Sequence, residues 1–181
     1  PQVAVDLNNL GSVLRDLGDL AGARRAFQRA LEIVEHAPAS QAPKLTTLLN
    51  NLGSVLRDLD DLDGARKILV RAQRLLERQF GSDHPEMAVL LNNLGSVLHE
   101  LDDLEGARQA FEDALEVLEG TLGSDHPHVA SAINNLGSVL QDGGDLDGAH
   151  KAFLRAFEID QAALGTYHVK IATDLNNLGG V

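Results

Sequence analysis

The run LNNLGSVL, Leu7 to Leu14, sets two amides and a glycine inside an apolar helical stretch. The same eight residues return at 49–56 and 91–98, then as INNLGSVL at 133–140, and a last copy, LNNLGGV, occupies 175–181. The motif glycines Gly11, Gly53, Gly95, Gly137 and Gly179 follow one another at intervals of 42 residues, with no insertion or deletion. So strict a spacing reads as an array of stacked units, because each unit must meet its neighbours in the same geometry. The units are 1–42, 43–84, 85–126 and 127–168, with a partial fifth at 169–181.

Apolar residues recur at helical spacing in both halves of a unit: Val3, Leu7, Leu10, Leu14 and Leu17, then Leu20, Ala23, Phe27, Ala30, Leu31 and Val34. This pattern predicts two antiparallel helices per unit. Between them lies Gly18-Asp19 or its counterparts, a left-handed residue followed by an aspartate that caps the second helix. Asp60 and Asp102 take the glycine's place in units two and three, which a short polar side chain tolerates. The inter-unit loop LGSDHP, 122–127, reads as a stop and a start: a glycine, then Ser or Asp as N-cap, then Pro in the first turn.

Composition excludes several classes of function. With 44% hydrophobic residues in 181, the chain has enough apolar mass for a buried core. A net charge of −12 repels phosphate backbones and anionic lipid, so nucleic acid and membrane surfaces are not expected partners. There is no cysteine, which removes disulfides, thiolate nucleophiles and cysteine-ligated zinc and fits a reducing, cytoplasmic compartment. Because the chain opens at Pro1 instead of Met, it is expected to be a segment of a longer protein.

Ser82, Asp83 and His84 are the residue types of a hydrolase triad, but three successive residues at a helix start do not converge in a hydrogen-bonded line. His84, His126 and His168 recur once per unit. Stacked units place such residues on the order of 10 Å apart, too far to share a metal ion. No cofactor, metal or enzymatic activity is therefore expected, and the histidines read as loop residues bonded to a neighbouring turn.

These landmarks resemble the tetratricopeptide repeat family, whose unit is a helix pair of about 34 residues. They are Leu7, Leu10-Gly11, Leu14, Ala23, Phe27 and Ala30 in the first unit, and the corresponding residues through Ile133, Leu136-Gly137, Leu140, Ala149, Phe153 and Ala156 in the fourth. The longer period, the doubled asparagine and the LGSDHP loop are similar to the 42-residue variant of kinesin light chains and bacterial repeat proteins. Eleven arginines against four lysines suit a GC-rich bacterial source. No GxxxxGK[ST] loop occurs, so an ATPase of the kind that carries such repeats would lie outside this chain. The resemblance implies an all-α, right-handed α-solenoid of stacked antiparallel helix pairs whose first helices line a concave groove. Two departures stand out: the first inter-unit loop is EHAPASQAPK, 35–44, and is expected to follow a different path; and Gly143-Gly144 replaces a leucine at the fourth unit's turn, which should remove a core side chain.

A glycine inside a helix costs roughly 1 kcal/mol relative to alanine. Gly11, Gly53, Gly95 and Gly137 share a face with Leu7, Leu14 and Ala4, so the expected compensation is close approach of the backbones of the two helices. On the same wheel Asn9 falls almost opposite the core, and Asn8 lies on the flank beside Arg15. Stacking would line up Asn9, Asn51, Asn93, Asn135 and Asn177 as a polar ladder in the groove the resemblance implies. An amide both donates and accepts and so suits any peptide backbone. The alternative is that the amides bond to one another and set the register of the stack. The flanking row Asn8, Asn50, Asn92 and Asn134 favours that structural role.

Selectivity would come from the positions that vary: Val5, Thr47, Val89, Ser131 and Thr173; Arg15, Arg57, His99 and Gln141; and, toward the edge, Gln2, Lys44, Glu86, His128 and Lys170. Lys44, Arg15 and Arg57 gather at one end, with Glu86 and Glu100 after them, which suits a ligand of mixed charge. The charges of the second helices read as solvated or inter-unit ion pairs. The reading is a scaffold that binds a peptide or protein segment in its groove; the alternative is head-to-tail self-association through uncovered terminal units.

Overall fold

The computed structural model describes residues 2–36, 42–166 and 168–181. Among them are nine α-helices and no strand: α1 (Gln2–Asp16), α2 (Leu20–Glu35), α3 (Ala42–Asp58), α4 (Leu62–Phe80), α5 (Pro85–Glu100), α6 (Leu104–Leu122), α7 (Pro127–Asp142), α8 (Leu146–Leu164) and α9 (Val169–Gly179). Each odd helix through α7 turns back on the even helix after it, and these pairs make the tightest packing in the chain. The helices fall into two compact units, Pro1–Ser82 and Asp83–Val181. In the first, α3 lies against both α2 and α4; in the second, α7 lies against α6 and α8, and α9 closes on α8. Residues 37–41 of the loop at 35–44 lie outside the described residues, as does the side chain of Lys44.

The turn inside each pair does two jobs with adjacent residues. Gly18 is left-handed (φ 80°), as are Asp60 (62°), Asp102 (61°) and Gly144 (83°). Gly18 N–H bonds the Arg15 carbonyl and Asp19 N–H the Leu14 carbonyl, both at 2.9 Å, which satisfies two orphan carbonyls at the end of α1. Asp19 then caps α2, its carboxylate accepting from Gly22 N–H at 2.8 Å; Asp61, Asp103 and Asp145 do the same for Gly64, Gly106 and Gly148. A Cβ on Gly22 would lie 2.2 Å from Asp19 Oδ2, so the third residue after each cap is glycine because the capping carboxylate needs its space.

The inter-unit loops differ from the sequence expectation. The N-caps of α5, α7 and α9 are His84, His126 and His168, not the preceding Ser or Asp. Each imidazole Nδ1 accepts from the backbone N–H two residues on, Glu86 and His128 at 3.2 Å and Lys170 at 3.3 Å. Proline at the first helical position holds the residue before it extended, and the residue so placed in the first two loops is the histidine.

The motif glycine also has a different cause from the one expected. A Cβ on Gly11 would stand 2.7 Å from the Phe27 ring; Gly95 and Gly137 meet Phe111 and Phe153 at 2.8 and 2.6 Å, and Gly53 meets Leu69 at 2.7 Å. The glycine makes room for a large side chain of the second helix, not for the second backbone. Phe27, Phe111, Phe153 and Leu69 are each at most 1% exposed in that space.

Apolar surface stands open on the first unit, as expected, whereas the loss of a core leucine expected at Gly143 does not occur. Val3, Leu10 and Leu17 are 59%, 48% and 76% exposed, although the counterpart of Leu10 on α3, Leu52, is 3% exposed. Leu17's counterparts Leu59 and Leu101 are only half-buried, so Gly143 removes no core side chain.

Two glycine substitutions separate space from propensity. Gly95→Ala should destabilise the chain by about 1–3 kcal/mol, because the Phe111 ring has to move. Gly120→Ala, in α6 with nothing within 4 Å of the new Cβ, should stabilise it by about 0.5–1 kcal/mol. Urea unfolding followed by circular dichroism reads both, and a stabilising Gly95→Ala would refute the steric account.

Candidate functional site

Successive first helices meet with an advance of one residue beyond the period. Asn51 Nδ2 donates to Asn8 Oδ1 at 2.8 Å, and Asn177 Nδ2 to Asn134 Oδ1 at 3.4 Å, both pairs 43 positions apart. Arg15 Nε donates to Asp58 Oδ2 at 2.7 Å, and His99 Nε2 lies 2.6 Å from Asp142 Oδ2, at the same separation. Gln141 Nε2 donates to the Gly180 carbonyl at 2.9 Å. The asparagine is doubled because a one-residue advance brings the second amide of one unit to the first amide of the unit before it.

The expected ladder is therefore made of pairs. Asn8, Asn51, Asn134 and Asn177 are joined two by two; Asn9 and Asn135 are exposed; Asn50 and Asn93 are half-buried. Asn92 turns inward, donating to the Ala88 carbonyl at 3.0 Å, with its Oδ1 buried and unpartnered. Arg15 and His99 are tied to the next first helix, and Arg57 is half-buried beside Asp58 at 3.7 Å. Sequence reading singled out Arg15 and His99 but missed their partners Asp58 and Asp142. The signal was present as complementary residues one period plus one apart.

On the second helices, Arg71 pairs with Glu35 at 2.6 Å and Arg155 with Glu119, in each case joining one second helix to the preceding one. Arg66 pairs with Asp63, and Arg108 with both Glu105 and Glu112. Exposed pairs of this kind contribute typically about 0.2–1 kcal/mol and help align the helices rather than form a site.

Beside the Asn8–Asn51 bond, among α1, α2 and α3, lies a cavity of about 230 Å³ lined by Ala4, Val5, Asn8, Val34, Thr47 and Leu48. It is apolar apart from the asparagine amide and the threonine hydroxyl.

The last junction of the chain differs in chemistry. Asp160 on α8 and Asp174 on α9 are each 1% exposed. Asp174 Oδ1 accepts from Asn134 Nδ2 at 2.6 Å, and Lys170 Nζ donates to Ser131 Oγ at 3.0 Å while standing 4.0 Å from Asp160 Oδ2. Asp160 Oδ1 and Asp174 Oδ2 have no hydrogen-bond partner among the described residues. Burial raises the pKa of Asp160; Lys170 and, less strongly, His168 act against that shift, and the charge of Asp174 adds to it. Asp160 interrupts an otherwise apolar row, Val34, Leu76 and Leu118, and Asp174 follows Leu48, Leu90 and Ala132 in a row that opens with the exposed Asp6.

No group of three or more potential metal ligands occurs among the described residues. At the candidate triad, His84 Nδ1 is engaged in capping α5. No described helix is long and apolar enough to cross a membrane.

Tetratricopeptide repeat models match residues 44–120, 86–162 and 128–181, and a second tetratricopeptide repeat model matches 7–37. No curated protein matches the chain significantly. Among solved structures, BtubC (BKLC) from P. vanneervenii superposes with a TM-score of 0.85 at 23% identity, over 96% of this chain and 69% of that one. Nearly identical TPR-like repeats from Podosopora anserina, named for kinesin light chain, superpose with a TM-score of 0.84 at 16% identity, over 97% and 83% of the two chains. A point variant of those repeats does so with a TM-score of 0.85 at 15% identity, over 97% and 82%. These likenesses identify the fold as that of the helix-pair solenoids.

The Asp160 junction has a defined pH response. A carboxyl whose pKa is raised on folding loses its proton first in the unfolded chain, so stability falls as pH climbs from the ordinary aspartate range through the folded value. Acidification from neutral pH should thus strengthen the docking of α9. Asp160→Leu should raise the melting midpoint at pH 7 and flatten this dependence. A variant that melts below the wild type at pH 7 would contradict the assignment.

Proposed function

The chain belongs to the tetratricopeptide repeat family, and on that footing we propose that it is a protein-interaction scaffold binding an extended peptide or partner segment along the face its first helices present. The observation that carries this reading is the apolar cavity of about 230 Å³ beside the Asn8–Asn51 rung. A pocket of that kind takes an apolar side chain of a ligand, and an adjacent amide orients the ligand backbone. Asn9 in the first compact unit and Asn135 and Asn176 in the second are the exposed motif amides of the first helices. An amide both donates and accepts, so it can bond a peptide backbone whatever its side chains. Val5 and Thr47 at the cavity, and Val89 and Thr173 farther along, supply the variation that choice requires. The reading assigns the chain binding without chemistry.

A random decapeptide library panned against the whole chain provides the test. Selected peptides should lose about tenfold or more in affinity for Asn9→Ala/Asn135→Ala, a loss of about 1.4 kcal/mol, while the melting midpoint stays within a degree or two. Recovery of no peptide, or affinity unchanged by the double substitution, would count against the amides as ligand contacts.

One observation favours self-association as a second reading. Val3, Leu10 and Leu17 at α1, and Val169 and Leu175 at α9, are between 48% and 77% exposed. Surfaces of this composition seek cover. If they stack on one another, light scattering across a concentration series should show mass rising with concentration, and Leu10→Glu/Leu175→Glu should abolish the rise. A constant monomer mass removes this reading.

A further inference from the structure

The 42-residue period allows one place in the fold to be compared at different junctions. In the N-terminal unit the cavity beside the asparagine rung is lined by Ala4, Val5, Asn8, Val34, Thr47 and Leu48. Three periods farther along, the same positions are Ala130, Ser131, Asn134, Asp160, Thr173 and Asp174. The amide and small residues persist, but two apolar walls have become carboxylates. One period earlier, at Leu118 and Ala132, the fold satisfies the same two places with side chains in an apolar cluster, 8% and 1% exposed. Packing therefore does not demand acid groups here.

Burying carboxylates is costly unless partners compensate, because the charge loses its hydration. The compensation present is partial. Asn134 serves one oxygen of Asp174, and the Lys170 ammonium stands 4.0 Å from one oxygen of Asp160, leaving Asp160 Oδ1 and Asp174 Oδ2 unserved. Two negative charges face one positive charge.

We propose that Asp160 and Asp174 form a socket for the guanidinium or ammonium of a basic residue in the bound peptide, with Lys170 holding the place of that cation when no peptide is present. The proposal rests on the groove reading above and adds the chemistry of one ligand position. A guanidinium carries five N–H donors in a planar fork and can serve carboxylate oxygens on two sides, which one ammonium at 4.0 Å does not do. It replaces the ammonium charge for charge while adding hydrogen bonds to the unserved oxygens. Lys170 is the movable member: its side chain is 41% exposed and its hydrogen bond is to a neutral hydroxyl, Ser131 Oγ, so it can swing outward once the incoming cation takes over the charge of Asp160.

The decapeptide library decides this with three proteins: wild type, Asp160→Leu/Asp174→Ala, which restores the residues of the preceding unit, and Lys170→Ala. Peptides selected on the wild type should carry arginine or lysine at one fixed position, and exchanging that residue for citrulline should weaken binding about tenfold or more. The double variant should show no such preference, and Lys170→Ala should bind the basic peptides more tightly. Should the double variant not fold by circular dichroism, the citrulline exchange and Lys170→Ala still decide. Binders lacking a basic preference, a preference that survives the double substitution, or weaker binding by Lys170→Ala would overturn the socket and leave the groove reading standing. Recovery of no peptide from any of the three overturns both.

Discussion

Phe27 lies with its ring where the Cβ of any residue at position 11 would have to be, 2.7 Å away, and the same contact recurs with Leu69, Phe111 and Phe153. This knob sets how closely, and at what rotation, the two helices of a pair meet. Rotation matters because it decides which face of the first helix is left for the next unit. A first helix turned by one residue would point 100° elsewhere, and no bond between units would survive it. The helix-propensity cost of the glycine is offset by a large side chain buried almost without exposure, which contributes on the order of 2–3 kcal/mol.

With the face chosen, the one-residue advance between consecutive first helices follows as a consequence of stacking. It explains polar pairs that otherwise look unrelated: amide to amide at Asn8 and Asn51, guanidinium to carboxylate at Arg15 and Asp58, imidazole to carboxylate at His99 and Asp142. Individually these exposed or half-buried bonds are weak. Together they penalise any slip of one helix along the next, since a slip breaks them all at once. Register, more than stability, is what they supply. Asn9, Asn135 and Asn176 are the motif amides turned to solvent.

The final junction shows how a strict period accommodates an exception. Asp160 and Asp174 keep the backbone arrangement of their apolar counterparts while replacing dispersion contacts by charge, and Lys170, Ser131 and Asn134 gather around them. An interface with unserved carboxylate oxygens is more sensitive to pH and to cations than an interface of leucines. Repetition makes that difference readable, because the other junctions act as internal controls.

Much of this was legible in the residues. The interval between glycines, the alternation of apolar positions and the Gly-Asp turn determined helix pairs, their boundaries and their stacking, because local propensity and capping act within a few residues and need no distant partner. The break at Asp160 was likewise visible as a polar letter in a row otherwise filled by Val34, Leu76 and Leu118. Tertiary structure alone decided three matters: that the glycine answers a ring and not a backbone, that histidine and not serine or aspartate caps the later first helices, and that Asn51 reaches back to Asn8. Each depends on where a side chain from another helix or loop residue comes to rest. Such placement is set by the rotation and offset of whole helices, and no periodicity along one helix encodes these.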